Sequence, residues 1–452
     1  MLTVTKIIKY ICLWQFVLTG FFSFAQNDKK QKILELLNAW VEVRDFSGSV
    51  LVSEKDSVLL NQGFGFADYE KKIPNTTTTK FCLASVTKQF TATAIMYLCY
   101  TGKIHLHSKL SDCLPWYRKD IGDKVTVHQL LTHTSGIPGY TESEGFMLTQ
   151  TDNQFETKEF IEIFCSNDLE FIPGTKNKYN NSAYYILGAI IEHQTGKTYA
   201  EFMKEIIFDK AGMSNSGFDI NTATMPAAKG YTRELQVIKE AKKLHGSIAF
   251  AAGALYATVE DMYKWHQILY TEKIIPKKWI DTMFYNYSQN FGYGWVVTNM
   301  WNKKLIHHTG GIFGYSTQIM RFTDDDICII TLGNTDYCMA FEINQAISAI
   351  MFNQPYDIPR IKKSINLDEN IIKQYAGEYH LQKNFIIYVS NMGNKLFIQA
   401  TGQPQFELQA ESETDFFLPG YPISITFTKN KKGKVSGLIL HQNGDHTAKK
   451  IK

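Results

Sequence analysis

Apolar residues along the chain repeat with two different periods, first helical and then alternating. Ile33, Leu36, Leu37, Trp40 and Val41 recur at i, i+3, i+4, i+7 and i+8, one face of an opening helix. Two β-rich runs follow, Ser49–Val52 and Val58–Phe64, joined by the polar turn Ser53–Ser57, and the spacing predicts a hairpin. From Ala84 to Tyr100 the sequence ASVTKQFTATAIMYLCY is apolar on nearly all sides, which implies a helix buried centrally. Further helices are predicted over 157–166, 182–195, 198–211 and 258–270. The third of these ends at Gly212, and the last opens with Thr258 three residues before Asp261, a capping-box-like start. Strands are predicted at 292–299, 315–322 and 326–333, then a helix near 339–353. Sheet segments from both ends of this region, with helices between, make an α/β (α+β) domain.

The pattern changes after Phe352. Residues 354–366 (QPYDIPRIKKSIN) hold two prolines and several charges and read as a linker. Alternating strands follow at Phe385–Val389, Leu396–Ala400, Phe406–Gln409, Ile423–Phe427 and Val435–Leu440, a spacing that predicts a small β-barrel or sandwich. The expected organisation is a leader over 1–25, a large domain over 26–353, a linker over 354–366 and a small all-β domain over 367–452.

Composition narrows the function classes. The chain has 452 residues, of which 44% are apolar and 20% charged, enough for a large packed core, so disorder and coiled coil are excluded. A net charge of +3 over this length leaves no electrostatic footprint for nucleic acid. Lys6 and Lys9 precede the apolar run Tyr10–Phe24, and Ser23-Phe24-Ala25 ends it with small residues at −3 and −1. That is the pattern of a secretory signal peptide cut near Ala25–Gln26, too short to span a bilayer, and it predicts a periplasmic or secreted chain with no stable membrane insertion. The remaining cysteines are widely spaced and form no CxxC or CxxH cluster, so no structural metal is expected.

Three short stretches could carry chemistry. Ser85-Val86-Thr87-Lys88 opens the buried helix, and no other serine in the chain stands three residues before a lysine. At i and i+3 the two side chains share a face, with Cβ atoms about 5–6 Å apart. A serine needs a neighbouring base, and an amine serves only when burial or a positive neighbour keeps it neutral. A surface cap with a snorkelling lysine would read the same in four letters, but the apolar helix that follows argues against it. Tyr179-Asn180-Asn181, the only Y-x-N in the chain, precedes the helix at 182–195. A phenol near a lysine ionises more easily, so Tyr179 could take the serine proton, while Asn181 holds Lys88 and a substrate carbonyl. The plain alternative is a turn with Asn as N-cap. His308-Thr309-Gly310-Gly311 stands just before a predicted strand; the glycines would admit a substrate backbone, and the Gly311 amide could join that of Ser85 on an oxyanion. His307 and His308 would point to opposite faces, which disfavours a metal site. No G-x-S-x-G elbow, Walker motif or G-x-G-x-x-G is present, and no cofactor is expected.

In this order, the three stretches resemble the serine β-lactamase and penicillin-binding-protein-like superfamily, in its class C-like branch of class C β-lactamases, D-aminopeptidases, D,D-carboxypeptidases and esterases. The family pattern S-x-x-K, Y-x-N, [KH]-x-G falls on Ser85/Lys88, Tyr179/Asn181 and His308/Gly310. Leu130–Gly136 (LLTHTSG) and Ala252–Thr258 (AGALYAT) are similar to it as well, so the likeness covers roughly 30–352. It implies an antiparallel sheet flanked by helices, a helical subdomain, and a cleft between them. It also implies an acyl-enzyme on Ser85, with Lys88 and Tyr179 shuttling the proton and Asn181, His308, Thr309, Gly310 and Gly311 around the substrate. His133, within the first of those runs, is expected to support the site wall. The expected function is hydrolysis of an amide, ester or D-amino-acid peptide bond, the substrate being a small molecule or peptide, with peptidoglycan-derived compounds among the candidates. The alternatives are a class C-like β-lactamase and a non-turnover peptidoglycan- or ligand-binding protein. His308 stands where many β-lactamases carry lysine, and a histidine offers positive charge only when protonated.

Overall fold

Six antiparallel strands from the two ends of the first 358 residues meet in one sheet of the computed structural model. The structure describes residues 26–451 except Asp56, Glu144, Leu235, Gln236, Lys383, Asn384, Gly420, Pro422 and Asn443. The expected leader, 1–25, lies outside the described residues. Strands β1 (Gly48–Glu54) and β2 (Ser57–Phe64) are the predicted hairpin. With β3 (Val296–Met300), β4 (Lys303–Ile312), β5 (Tyr315–Phe322) and β6 (Ile327–Gly333) they lie in the order β3-β4-β5-β6-β1-β2. β1 is paired on both sides, Val50 with Thr331 and with Gln62.

Side chains alternate between the two faces of a strand, and both faces are covered. Val50, Val52, Leu305, Met320 and Ile329 pack with Ile33, Leu36 and Leu37 of helix α1 (26–44) and with Ile343, Ile347 and Ile350 near the chain's later helix. Leu51, Ile306, Ile319 and Ile330 belong to a second, larger core. At its centre is α2 (Thr87–Tyr100), in which every residue except Tyr97 and Tyr100 is buried. Around it stand α3 (Asn181–Thr195), α4 (Gly246–Gly253) and α5 (Val259–Ile268). Phe90 of α2 stacks on Trp265 of α5, ring centroids 4.4 Å apart. Thr258 caps α5 by accepting from the Asp261 amide. The later helix, α6 (Ala340–Met351), covers the first face.

The differences from the sequence reading have local causes. Ala84–Val86 form a 3-10 turn, and the α-helix begins only at Thr87. The stretch expected as one helix over 198–211 carries a π turn, Lys204–Phe208. Helix α4 was not foreseen, because GSIAFAAG has no polar face and therefore no period. Strand β4 was also unforeseen: two lysines, two histidines and two glycines interrupt its apolar alternation. It forms because β3 and β5 zip onto it from both sides, Val297 opposite Ile306 and Ile306 opposite Arg321. His308–Gly311 therefore lie inside a strand and not before one.

The chain divides between Ile358 and Pro359. The second unit is a closed antiparallel barrel of eight strands, so the sandwich alternative falls away. The strands are β7 (Gly377–Gln382), β8 (Phe385–Met392), β9 (Lys395–Ala400), β10 (Gln405–Ala410), β11 (Asp415–Phe417), β12 (Ser424–Lys429), β13 (Val435–His441) and β14 (Asp445–Lys450). Tyr375, Tyr379, Ile425, Phe427 and Leu438 fill its interior. Five of these strands were legible from alternation. β14 was not, since Ala448 is its one buried apolar residue. The Ile365 amide donates to Ala410 O, so the end of the expected linker already belongs to this unit.

Candidate active site

Ser85 sits on a turn held by the sheet. Its predecessor Ala84 has φ 48°, in the left-handed region that costs a non-glycine residue roughly 1–2 kcal/mol. The conformation persists because its neighbours are fixed. The Leu83 amide donates to Leu255 O at 2.8 Å, and Leu83 O accepts from Thr317 Oγ1 of β5 at 2.8 Å. Gly310 of β4 rests on the same turn, where a Cβ would overlap Leu83 O and Thr317 Oγ1. Gly311 is different, with nothing within 4 Å of its absent side chain. Sequence reasoning gave both glycines to the substrate, and both border the cleft, but only at Gly311 would a side chain find room. Gly310 is needed for β4 to touch the turn that carries the serine.

Lys88 is fully buried one turn further on. Its Nζ lies 2.8 Å from Asn181 Oδ1, 2.8 Å from Ala252 O and 3.1 Å from Ser85 Oγ. No carboxylate pairs with it among the described residues, and burial pulls its proton affinity well below that of an ordinary lysine. A neutral amine has two N–H bonds and one lone pair. The Ala252 carbonyl can only accept, and Asn181 presents its oxygen because its Nδ2 donates to Thr141 Oγ1 at 3.0 Å. These two acceptors take both hydrogens. The lone pair is left facing the Ser85 hydroxyl, which must then be the donor.

The kink of α4 supplies one of those acceptors. Phe250 has φ 38°, and beyond it the last carbonyls of the helix turn to α2, Ala251 O to Thr91 and Ala252 O to Lys88. The last carbonyls of a helix lack intrahelical partners, so both are free to serve α2.

Tyr179 comes in at the start of α3. Asn180 is the N-cap, its Oδ1 accepting from the Ala183 amide at 2.7 Å, and Asn181 is the first helical residue. The two readings of this motif, cap or lysine ligand, are thus carried by neighbouring residues. Lys88 Nζ stands 4.9 Å from the Tyr179 ring centroid. Burial lifts the phenol above its usual range, with its hydrogen bond to Ser85 opposing that. Burial thus favours the neutral form of both groups, against the expectation that lysine and tyrosine ease each other's ionisation. His133 (φ 59°) supports this corner, its ring 4.6 Å from that of Tyr179 and its Nδ1 accepting from the Asn180 amide at 3.0 Å.

His308 faces the same side, its ring 6.2 Å from that of Tyr179, while His307 packs 5.9 Å from Phe341 on the opposite face. His308 Nδ1 lies 2.7 Å from Thr309 O, an acceptor, so Nδ1 carries the hydrogen. Burial pushes His308 down to about 3, so the ring is neutral at physiological pH. Thr309 lies on the other face of the strand from His308 and is exposed at the cleft edge. The cleft has a volume of about 510 Å3, and Ser85, Tyr140, Asn181, Ile248, Gly311 and Asp336 are among its walls. Ala252 and Asp336 were missed from sequence. The first acts through its backbone, and the second stands in no motif.

The Beta-lactamase family model matches residues 39–349, and a domain of unknown function (DUF3471) matches 362–451. The chain is 29% identical over 449 residues to Penicillin-binding protein 4* of Bacillus subtilis (strain 168), covering 93% of this chain and 98% of that one. The octameric penicillin-binding protein homologue from Pyrococcus abyssi has the same fold at a TM-score of 0.67 and 24% identity, over 93% of this chain and 99% of that one. The D-amino acid amidase from Ochrobactrum anthropi SV3 gives a TM-score of 0.62 at 24% identity, over 72% of this chain and 97% of that one. The family match takes in the sheet, α2, α3 and each of the motifs gathered at Ser85. The chain therefore belongs to the Beta-lactamase family, within the serine β-lactamase and penicillin-binding-protein superfamily of serine hydrolases.

Proposed function

We propose that the protein is an exported hydrolase that forms an acyl-enzyme on Ser85 and cleaves an amide, ester or D-amino-acid peptide bond. One observation carries this reading: a buried lysine whose Nζ is held 2.8 Å from Asn181 Oδ1 and from Ala252 O and 3.1 Å from Ser85 Oγ, an arrangement in which a neutral amine would turn its lone pair to the serine hydroxyl. As Ser85 Oγ attacks a substrate carbonyl carbon, Lys88 takes its proton, and the same two carbonyls stabilise the ammonium that forms. The carbonyl oxygen becomes an oxyanion toward the amides of Ser85 and Gly311, where one donor is typically worth about 10²–10³ in rate. Tyr179, neutral at rest, gives its proton to the leaving group and recovers it from Lys88. Water then repeats the sequence with the roles reversed, and the acid leaves. Thr309 and Gly310 border the substrate, and His308 sits below it.

The neutral ring of His308 speaks against efficient turnover of carboxylate-bearing β-lactams, because it offers such a substrate no positive charge. The leader pattern supports export, and no described helix is long and apolar enough to cross a membrane. The substrate is a small molecule or peptide, a class that includes peptidoglycan fragments; nucleic acid and stable membrane insertion have no part in this reading.

Purified protein beginning at Gln26, treated with a fluorophosphonate probe, should gain one adduct by intact mass. Peptide mapping should place it on Ser85, and Ser85→Ala should abolish it. A folded wild type that stays unlabelled would favour a non-turnover binding protein.

A further inference from the structure

We propose that the cleft selects acyl groups bearing an ammonium, with Asp336 as the carboxylate that receives it. The inference rests on the acyl-transfer reading above and names the substrate class for that site. Among the described residues lining the cleft, Asp336 is the one charged side chain. Most of the remaining wall is apolar or aromatic, including Tyr140, Met147, Ile248 and Phe313. A charge entering such a cleft is costly unless it finds an opposite partner.

Asp336 lies just past β6 and is exposed. Its Oδ2 accepts from the Gly314 amide at 3.3 Å, in the turn between β4 and β5, and the Thr232 side chain also bonds to it. Both donors are neutral, and no cation pairs with the carboxylate among the described residues. Partial desolvation of its carboxyl against the cleft wall lifts it above its usual value, a shift that an ammonium alongside would reverse.

A substrate carboxylate finds no such welcome. Lys88 is buried and bonded to two carbonyls, and His308 is neutral with its one hydrogen on Thr309 O. A smaller chamber adjoins the cleft and shares Leu244, Ala249, Gly253 and Tyr315 with it. Its lysines already face carboxylates. Lys229 lies 3.3 Å from Asp68, 3.4 Å from Glu70 and 3.2 Å from Glu240, Lys243 lies 4.0 Å from Glu240, and Lys242 lies 4.0 Å from Asp152.

The position of Asp336 also limits where the ammonium sits. At ~3.3 Å per residue, the turn at Gly314 is about 7–10 Å from Gly311. That distance suits the N-terminus of a dipeptidyl group, or a long side-chain amine, more than an amine on the carbon next to the attacked carbonyl.

The test uses D-Ala-D-Phe p-nitroanilide with a free N-terminus, its N-acetyl form and its N-succinyl form. Each is measured as a substrate and as a competitor of fluorophosphonate labelling, so that binding is read even without turnover. The free amine should exceed the N-acetyl form by ~10-fold in kcat/KM or in protection, as a charge-assisted contact allows, with the N-succinyl form weakest. Asp336→Asn should shrink the free-amine advantage to below about threefold, chiefly through KM or the protecting concentration. Equal or better handling of the N-succinyl form, no protection by the free amine, or an unchanged ratio in Asp336→Asn would overturn the inference. Loss of Ser85 labelling altogether would instead sink the hydrolase reading beneath it.

Discussion

Lys88 and Arg321 are both fully buried, and neither has a carboxylate beside it, yet the fold treats them in opposite ways. Around Lys88 there are two carbonyls, a hydroxyl and the rings of Tyr179 and Tyr184 at 4.9 and 5.5 Å, and burial favours the amine without its proton. Around Arg321, on β5, there are aromatic faces: Tyr270, Phe284 and Trp295 at 5.1–5.5 Å from the guanidinium. Its Nε donates to His266 Nδ1 at 3.1 Å, and His266 Nε2 reaches Asp326 at 3.4 Å. A guanidinium does not shed its proton in a protein, so its charge is spread over ring faces and relayed through a neutral imidazole to a carboxylate. The same degree of burial thus yields a base in one region and a fixed tie in the other. What decides is whether the side chain can become neutral.

Exchanging the chemistry of the two regions is the strongest way to break this comparison. Lys88→Met should lower the rate of Ser85 acylation by at least ~10³-fold, with circular dichroism unchanged, because the serine keeps no base. Lys88→Arg should lose as much activity and also unfold at lower temperature, since a bulkier guanidinium cannot become neutral in a space fitted to an amine. Near-normal labelling in either variant would end the assignment of Lys88. Arg321→Ala should instead cost stability, about 3–5 kcal/mol in urea unfolding, and Arg321→Met should recover most of it by refilling the space without the charge. Activity per folded molecule should hold in both; a large loss would mean that Arg321 acts on the site.

Smaller effects refine the picture. Gly310→Ala should destabilise by about 2–3 kcal/mol and impair labelling, because the added methyl meets Leu83 and Thr317. Gly311→Ala, with open space around it, should leave the melting temperature within about 2 °C. Equal destabilisation by the two would contradict the division of roles on β4. The pH dependence should be gradual, spread over several pH units. Burial holds His307 at about 4 and His308 at about 3. Unfolded chains take up these protons first as pH falls below about 6.5, so stability should decline on acidification by about 1.4 kcal/mol per pH unit for each histidine. The slope from His307 should end near pH 4 and that from His308 near pH 3. A flat stability profile between pH 6.5 and 5 would show these rings to be accessible to protons.

Much of the site was readable because its members are side chains at helix beginnings. The four letters from Ser85 to Lys88 fix two groups on one helical face, and the apolar run after them signals the burial that neutralises an amine. Tyr179 and Asn181 were legible in the same way, as the approach to a helix. What escaped the reading was of other kinds. The second acceptor for Lys88 is a backbone carbonyl, Ala252 O, delivered by a kink in a helix too uniform to show a period. Strand β4 was hidden because its pairing is imposed by β3 and β5 and not by its own alternation. Asp336 belongs to no pattern, since its relation to Ser85 arises only when β6 comes to lie beside β5. The barrel was legible where inward residues are large, as in Phe385–Val389, and not where a single alanine does the packing, as in β14.

The way the barrel shuts has a practical consequence. Its first and last strands meet through only two residue pairs, Tyr379 with Lys450 and His380 with Lys449, whereas β12 and β13 share six. This short seam and the equally short β10–β11 ladder, Gln409 with Phe417 and Ala410 with Phe416, are where the cylinder should part first, and amide exchange at the two should outrun that of the longer ladders in the unit. Trimming the chain before Asp445 would leave β7 and β13 as bare rims able to recruit neighbouring molecules into mixed sheets.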